Sequence, residues 1–456
     1  MKKKQTPAQA SLKELWLLSY PLIVLMGAQM VMQFIDRMFL AWYSPEALAA
    51  CVPAGLLAFT FGSLFMGLSG YTSVFISQFY AKKKTASVTL SLWQGVWLSL
   101  ISAALLAALT PLGRALITSF GHELAVRKLE LSYFTILNIF GGFAVTNNAL
   151  GSFFSGRGNT KVPMYTALTG IVINIVLDYI FIFGKLGMPG LGIQGAAWAT
   201  VISCACTTLM FCGLIYTRKN RYTFKISRLA GFYKPIFVQM VRFGVPNGFG
   251  FLMDVLSFTL FTFMIGNIDT LSLQASNIVM SMQPVVFMVI VGLGGGIQIL
   301  VSKYQGLKRP DLTVQVVKNA CKLGYGYAAT ISVLFFFGAP LFLHLFIPAN
   351  TPHGAEIAAL TLPLMKLVSC FVLMDATYLI FGDAIRGAGD TKFYMYVMMI
   401  CAWGLLIPGT WVIVYRLHLS VFWVWSWLTF YAGLTAVLML WRFWQGKWKK
   451  LEVTKA

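Results

Sequence analysis

The sequence predicts an all-α polytopic membrane protein with twelve transmembrane helices, arranged as two six-helix lobes related by pseudo-two-fold symmetry about the membrane normal. Three observations predict this class. The chain is 58% hydrophobic and only 11% charged, with a mean hydropathy of +0.76, whereas a soluble globular chain is about 25% charged. Its apolar segments are long enough to span a bilayer. A glycine-rich hairpin occurs once in each half of the chain.

The apolar segments each hold the roughly 20 residues needed to cross the hydrocarbon core. They cover about 15–42, 52–80, 88–112, 131–155, 163–184 and 192–217 in the first half, and about 236–266, 274–304, 314–338, 357–382, 393–415 and 420–444 in the second. The polar stretch between the halves has six basic residues and no Asp or Glu. We therefore predict an N-terminal lobe over 1–217, a cytoplasmic linker over 218–235 and a C-terminal lobe over 236–456.

Paired motifs indicate that the two halves arose by duplication. The hairpin GRGNTK at 156–161 and its counterpart RGAGDTK at 386–392 each join two long apolar segments. Pro21 and Pro246 stand at matching places in the first helix of each half, where proline removes a backbone hydrogen bond and kinks the helix. Both halves begin on the same side of the membrane, which predicts parallel repeats about an axis normal to it.

The distribution of charge predicts the orientation and argues against nucleic acid as a partner. The formal net charge is +21, but most Lys and Arg residues lie in alternate loops and in the two tails. Five basic residues fall in the other set of loops: Arg114, Arg127, Lys128, Lys185 and Arg416. This is the positive-inside asymmetry. We expect a multi-pass protein of the cell inner (plasma) membrane with both termini in the cytoplasm.

Four carboxylates fall well inside the apolar segments: Asp36, Asp178, Asp254 and Asp375. A charge at the centre of a spanning helix costs roughly 2.5–3.5 kcal/mol on insertion scales, so such a residue is a candidate for function. Asn174 lies one helical turn before Asp178 and on the same face. We predict a first-lobe cation site, and the residues assigned to it are Asp36, Asn174, Asp178 and Thr200. Asp254 and Asp375 are the corresponding second-lobe pair.

The coupling ion and the role of these acids remain open between alternatives. Burial makes a carboxylate costly to ionise, which favours proton binding, whereas sodium would need several oxygen ligands, available from Asp36, Asn174 and Asp178. Protons are the favoured ion. Each acid could instead simply hold helices together by hydrogen bonds. Because no catalytic or zinc-binding motif occurs, we expect no enzyme activity, no catalytic residue, no structural metal and no cofactor beyond the coupling H⁺ or Na⁺.

Four stretches resemble the multidrug and toxic compound extrusion (MATE) family: FSGRGNTKVPM at 154–164, NIVLDYIFIFG at 174–184, GIQGAAWAT at 192–200 and RGAGDT at 386–391. The resemblance covers essentially the whole chain. It implies a secondary active transporter that exports cationic or amphipathic organic compounds and drugs by antiport against a proton or sodium gradient. A lipid-linked saccharide flippase of the same superfamily is the alternative. We expect a monomer whose partners are small organic cations and membrane lipid.

The resemblance also implies roles for particular residues. Asp36, Asn174 and Asp178 match the family's first-lobe cation site, and Pro21 matches the proline at which helix one bends. Asp375 matches the second-lobe acid of the bacterial branch. Asp254 stands where that branch has Glu, so its shorter side chain keeps the charge but changes its reach.

Overall fold

The computed structural model describes residues 9–119, 121–346 and 353–454, and over these residues it contains helices and no strand. Twelve of the described helices are long and apolar enough to cross a membrane, which confirms the predicted fold class. In chain order they are α1 (Leu12–Tyr43), α2 (Pro45–Ala81), α3 (Thr85–Ser119), α4 (Leu124–Ser155), α5 (Lys161–Phe183), α6 (Ile193–Ile215), α7 (Lys234–Ile265), α8 (Thr270–Gly306), α9 (Pro310–Phe346), α10 (Gly354–Ala388), α11 (Thr391–Arg416) and α12 (Val421–Gln445).

Polar caps begin some of these helices, and glycines end others. Ser44 caps α2, since its Oγ accepts from the backbone N–H of Ala47 at 3.0 Å. Asp269 caps α8 in the same way, with its Oδ1 2.7 Å from the N–H of Ser272. Gly389 follows α10 at φ 104°, a left-handed conformation that glycine adopts without a Cβ penalty. Short polar turns thus separate long apolar helices.

The chain forms two compact units. Unit 1 contains Met253–Glu452 and the described residues up to Ile23, and unit 2 contains Val24–Leu252 with Val453 and Thr454. The boundaries fall inside α1 and α7, and the predicted linker 218–235 belongs entirely to unit 2. The compact units therefore differ from the predicted lobes, because the first part of α1 packs in unit 1 and the first part of α7 packs in unit 2.

Small residues explain this exchange of helix ends. In unit 2, a Cβ added to Gly67 of α2 would lie 2.6 Å from the Cα of Gly248 in α7, so the two backbones touch. In unit 1, a Cβ on Gly292 of α8 would lie 2.6 Å from Ile23 of α1. Such close approach requires glycine at the contact. The sequence GLGGG at 292–296 is therefore a packing surface for the beginning of α1.

Each unit has its own apolar core. In unit 1, α10 packs against α8, α9 and α12, around buried side chains such as Trp425 and Tyr304. In unit 2, α4 packs against α2, α3 and α6, and Phe75, Phe79 and Phe153 are fully buried. These cores fix the rotation of each helix and so decide which polar side chains meet inside the unit.

Candidate cation and substrate site

Three of the predicted site residues meet inside unit 2. Asp36 lies in α1, and Asn174 and Asp178 lie one turn apart in α5. Asn174 and Asp178 are both fully buried. The carboxyl groups of Asp36 and Asp178 share a hydrogen bond. The amide nitrogen of Asn174 donates to Oδ1 of Asp36 and to Oδ2 of Asp178, each at 3.3 Å, because that end of the amide faces only carboxylate oxygens.

The cluster of Asp36, Asn174 and Asp178 can hold one proton or one monovalent cation. A hydrogen bond between two carboxyl groups requires a proton on one of them, and the amide of Asn174 donates to one oxygen of each group. Oδ1 of Asp178 has no hydrogen-bond partner among the described groups, so one buried acceptor stands ready for a donor or a cation. Arg37, the neighbour of Asp36 in sequence, is exposed and lies on another face of the helix.

Two residues beside the acid pair are ones that sequence reasoning missed. Cys51 of α2 and Tyr133 of α4 lie close enough to interact electrostatically with Asp36 and Asp178. The Sγ of Cys51 is 3.7 Å from the hydroxyl of Tyr133. Each is a common residue within an apolar helix, so no sequence signal distinguishes it from core. Only the packing of α2 and α4 brings them to this site.

Thr200 lies at a different place in unit 2. Its Oγ1 donates to the carbonyl of Ala196 at 3.1 Å, and no hydrogen bond between described residues joins it to the acid pair. It lines a cavity of about 180 Å³ between α2, α3, α4 and α6. The lining consists of Ala58, Phe59, Gly62, Met66, Leu106, Leu137, Asn138, Phe140, Gly141, Ala144, Val145, Thr200, Val201 and Cys204.

The cavity is apolar apart from a few side chains. Asn138 is 2% exposed, and its Nδ2 donates to the carbonyl of Leu106 at 2.7 Å. Its Oδ1 has no partner within the described part of the chain. A dry apolar cavity of about 150 Å³ can hold a molecule the size of benzene. This cavity therefore has room for one ring of a larger compound, with one unsatisfied acceptor in its wall.

The second predicted pair lies in unit 1. Asp254 of α7 and Asp375 of α10 interact electrostatically, and Asp375 is 9% exposed. Arg386, which is bonded to Asp383, acts on Asp254 as well. The sequence placed Arg386 only in the hairpin, yet it provides a positive charge close to Asp254. The described residues hold no cluster of three or more His, Cys, Asp or Glu side chains that could bind a metal ion.

The duplicated architecture and the acid pairs can be compared with known proteins. The MatE family model matches residues 21–180 and again residues 246–412, together most of the chain. The chain belongs to the MatE family. The double match of one family unit agrees with the duplication, and its two ranges contain both acid pairs.

Relatives and solved structures agree with this MatE assignment over nearly the full length. The probable multidrug resistance protein NorM of Rhizobium meliloti (strain 1021) is 27% identical to the chain, and the match covers 93% of the chain and 91% of the relative. The probable multidrug resistance protein NorM of Pseudomonas syringae pv. tomato is also 27% identical, and the match covers 97% of the chain and 96% of the relative. A structure described as the outward-facing conformation of a multidrug resistance MATE family transporter has a TM-score of 0.87 at 18% identity. It covers 98% of each chain, which shows the fold.

As a MatE protein, the chain is a secondary transporter and a multi-pass membrane protein, not an enzyme. The predicted hinge of this MatE chain, Pro21, lies inside α1, which continues through it. It stands two residues before Ile23, where α1 passes from unit 1 into unit 2. A proline here leaves a backbone carbonyl without its helical partner, next to the point at which the packing partners of α1 change.

Proposed function

We propose that this MatE transporter is a cation-coupled multidrug efflux antiporter that exports cationic or amphipathic compounds in exchange for protons. The observation that carries the proposal is the hydrogen-bonded pair of Asp36 and Asp178, bridged by Asn174, in the same unit as the apolar cavity. The names of the bacterial relatives, probable multidrug resistance proteins, favour the same substrate class.

The acid pair would couple proton movement to substrate movement, because the proton and the cationic substrate compete for the negative charge of the two carboxyl groups. With one proton, the two carboxyl groups share a hydrogen bond and carry one negative charge. Loss of that proton leaves two negative charges that repel each other in a low-dielectric interior. A cationic substrate is favoured by the unprotonated pair, and a proton restores the bonded arrangement. If the two loaded forms favour different conformations of the transporter, the gradient of one drives movement of the other.

The cavity would take the apolar part of the substrate. Its aromatic and aliphatic walls suit a planar ring, and Oδ1 of Asn138 would accept from an N–H of the drug. Since drug-sized ligands occupy about 300–1,000 Å³, the cavity would hold only part of such a molecule. Its lining contains no Lys or Arg. This favours drugs over lipid-linked saccharides, whose pyrophosphate calls for basic residues.

Transport by purified protein in vesicles tests the proposal. In sodium-free buffer, an imposed pH gradient should drive export of an ethidium-like dye, followed by fluorescence. Export that fails under the pH gradient but begins when a sodium gradient is added would show that the coupling ion is sodium, bound by the oxygens of Asp36, Asn174 and Asp178. Failure of any organic cation to be transported under either gradient would overturn the drug-antiporter function itself.

The proposed setting is the inner membrane, with both termini in the cytoplasm and a monomer as the working unit. The orientation is supported by the positive-inside distribution of Lys and Arg and by the even number, twelve, of spanning helices in the described part of the chain. Protease digestion of tags at each end, in intact and in permeabilised cells, tests the orientation. Protection of both tags in intact cells is the expected result.

A further inference from the structure

The connection between α6 and α7 is a basic segment that the transport function leaves unexplained. It contains a short helix, Arg218–Phe224, and a 3₁₀ turn, Ile226–Leu229. Six basic side chains occur between Ile215 and the first turn of α7, and all are exposed: Arg218, Lys219, Arg221, Lys225, Arg228 and Lys234. No Asp or Glu interrupts them.

This segment is fixed in place by α3. Thr89 donates to the carbonyl of Phe224 at 2.6 Å, and the indole N–H of Trp93 donates to the carbonyl of Ile226 at 3.1 Å. Gln94 is bonded at 3.1 Å both to the carbonyl of Gly231 and to the N–H of Tyr233. These bonds hold the backbone of the basic segment rigid. Less conformational entropy is therefore lost when its basic side chains bind a ligand.

The two faces of the short helix have different roles. Phe224 is buried, and the Arg157 guanidinium lies between its ring and that of Phe153, at 4.7 and 3.8 Å from the ring centres. Burial lowers the pKa of Arg157 to about 10, so it stays charged at neutral pH. Arg218 and Tyr222, four positions apart, lie away from Phe224, and Tyr222 is 80% exposed. Arg221, one turn before Phe224, is exposed beside it.

The segment lies at the level of a membrane surface. Helix α3 has 35 residues, about 52 Å at 1.5 Å per residue, whereas the hydrocarbon core is about 30 Å thick. About 22 Å of α3 therefore lies outside the core. The exposed basic residues of the segment beside its first turns indicate that this end of α3 extends beyond the core. Phe232 packs on Trp97 with ring centres 6.4 Å apart, and both rings are partly exposed. Aromatic rings of this kind are typical of the headgroup region.

From these contacts we infer that the basic face of the connection, defined here as Arg218, Arg221, Tyr222 and Lys225, binds the phosphate headgroups of anionic phospholipids in the surrounding leaflet. The charges are complementary, the backbone is held rigid, and the exposed aromatic rings suit the boundary between headgroups and acyl chains. Each basic residue at an anionic membrane surface contributes roughly fivefold in affinity. This inference does not depend on the coupling ion or on the drug.

Lipid binding to the purified full-length protein in neutral detergent tests the inference, with bound lipids counted by native mass spectrometry. Phosphatidylglycerol should bind about a hundredfold more tightly than phosphatidylcholine, since three basic residues each contribute roughly fivefold. The triple variant Arg218→Gln/Arg221→Gln/Lys225→Gln should lose this preference. The matched control, Lys318→Gln/Lys322→Gln/Lys392→Gln, removes three exposed charges from unit 1 and should keep it. The charge-conserving Arg218→Lys/Arg221→Lys variant should also keep most of it.

Three results would overturn the inference. Equal binding of the two lipids by the unmodified protein would remove the headgroup specificity. An equal loss in both triple variants would show an effect of net charge, not of this face. Competition by inorganic phosphate at concentrations similar to those of the lipid would identify a free-anion site. If the triple variant fails to fold, the single variant Arg218→Gln decides the matter, since it should lose about fivefold in phosphatidylglycerol affinity and an unchanged affinity would overturn the inference.

Discussion

Asp36 of α1 and Asp178 of α5 share a hydrogen bond between their carboxyl groups, and Asn174 bridges them with two amide contacts of 3.3 Å. Two helices distant in sequence thus bring two acids to one buried point in unit 2. The burial of the carboxyl groups and their proximity together give the pair its chemistry. One proton changes both the charge of the pair and its hydrogen bonding.

Removing either acid should uncouple transport. In Asp36→Asn and Asp178→Asn, the pair keeps its shape but has only one titratable group, so gradient-driven dye export should fall to background and lose its dependence on pH. Binding of the dye, measured by fluorescence polarisation, should weaken but remain detectable, because the pair loses one negative charge while the cavity is unchanged. The exposed acid Asp311 supplies the control, since Asp311→Asn should export normally. A steep pH dependence in Asp178→Asn would contradict the role of the pair.

The side-chain amide of Asn174 should affect export only through its hydrogen bonds to Asp36 and Asp178. Asn174→Leu removes two donors and leaves buried carboxylate oxygens unsatisfied, which costs about 1–3 kcal/mol and should reduce export about tenfold. Since all three side chains belong to one network, Asn174→Leu combined with Asp178→Asn should be no worse than Asp178→Asn alone. Dye export by the single and double variants gives the comparison. Additive losses would mean that Asn174 acts elsewhere.

The cavity can be narrowed without straining the fold. A Cβ added to Gly62 meets no atom within 4 Å, so Gly62→Leu should fold normally and fill part of the cavity. Competition assays should show weaker binding of bulky polycyclic drugs, by about tenfold, and little change for small organic cations, because an apolar pocket discriminates by about 1–3 kcal/mol per methylene group. Gly213→Leu is the matched control, because Gly213 also has open space and lies outside the cavity lining. Identical effects of the two substitutions would exclude the cavity as a substrate site.

Pro21 should permit α1 to bend. Pro21→Ala restores a backbone donor and straightens a helix that passes from unit 1 into unit 2 two residues later. Expression and thermal stability should be unchanged or slightly higher, because alanine is the better helix former by about 3 kcal/mol. Export should nevertheless fall. Unchanged export by Pro21→Ala in vesicles would remove the hinge from the mechanism.

The buried ion pair of Asp390 and Arg442 should be a structural element of unit 1. Their Oδ2 and Nε atoms are 2.7 Å apart, and the side chains are only 8% and 18% exposed. Asp390→Ala leaves the Arg442 guanidinium buried without its partner and should cost about 3–5 kcal/mol, seen as a lower melting temperature in detergent. Asp311→Ala breaks a pair whose side chains are more than half exposed and should leave the melting temperature unchanged. Equal changes in melting temperature in the two variants would show that burial does not decide how much an ion pair contributes to stability.

The sequence by itself determined the class of the protein and much of the site. Apolar segments of spanning length can satisfy their backbone hydrogen bonds in lipid only as helices or closed barrels, so the number of helices followed from composition and length. The repeated hairpins showed the duplication. The cost of burying a carboxylate singled out Asp36, Asp178, Asp254 and Asp375 before any contact was known.

Only the tertiary structure decided which of these residues meet. It joined Asp36, Asn174 and Asp178 but placed Thr200 at the cavity, with its hydroxyl bonded within its own helix. It also placed Arg386 near Asp254 and moved the unit boundaries into α1 and α7. The physical reason is that the described spanning helices are apolar on most of their faces, so hydrophobic periodicity does not report their rotation. Close contacts such as that of Gly67 with Gly248 fix the rotation, and they exist only once the helices have packed.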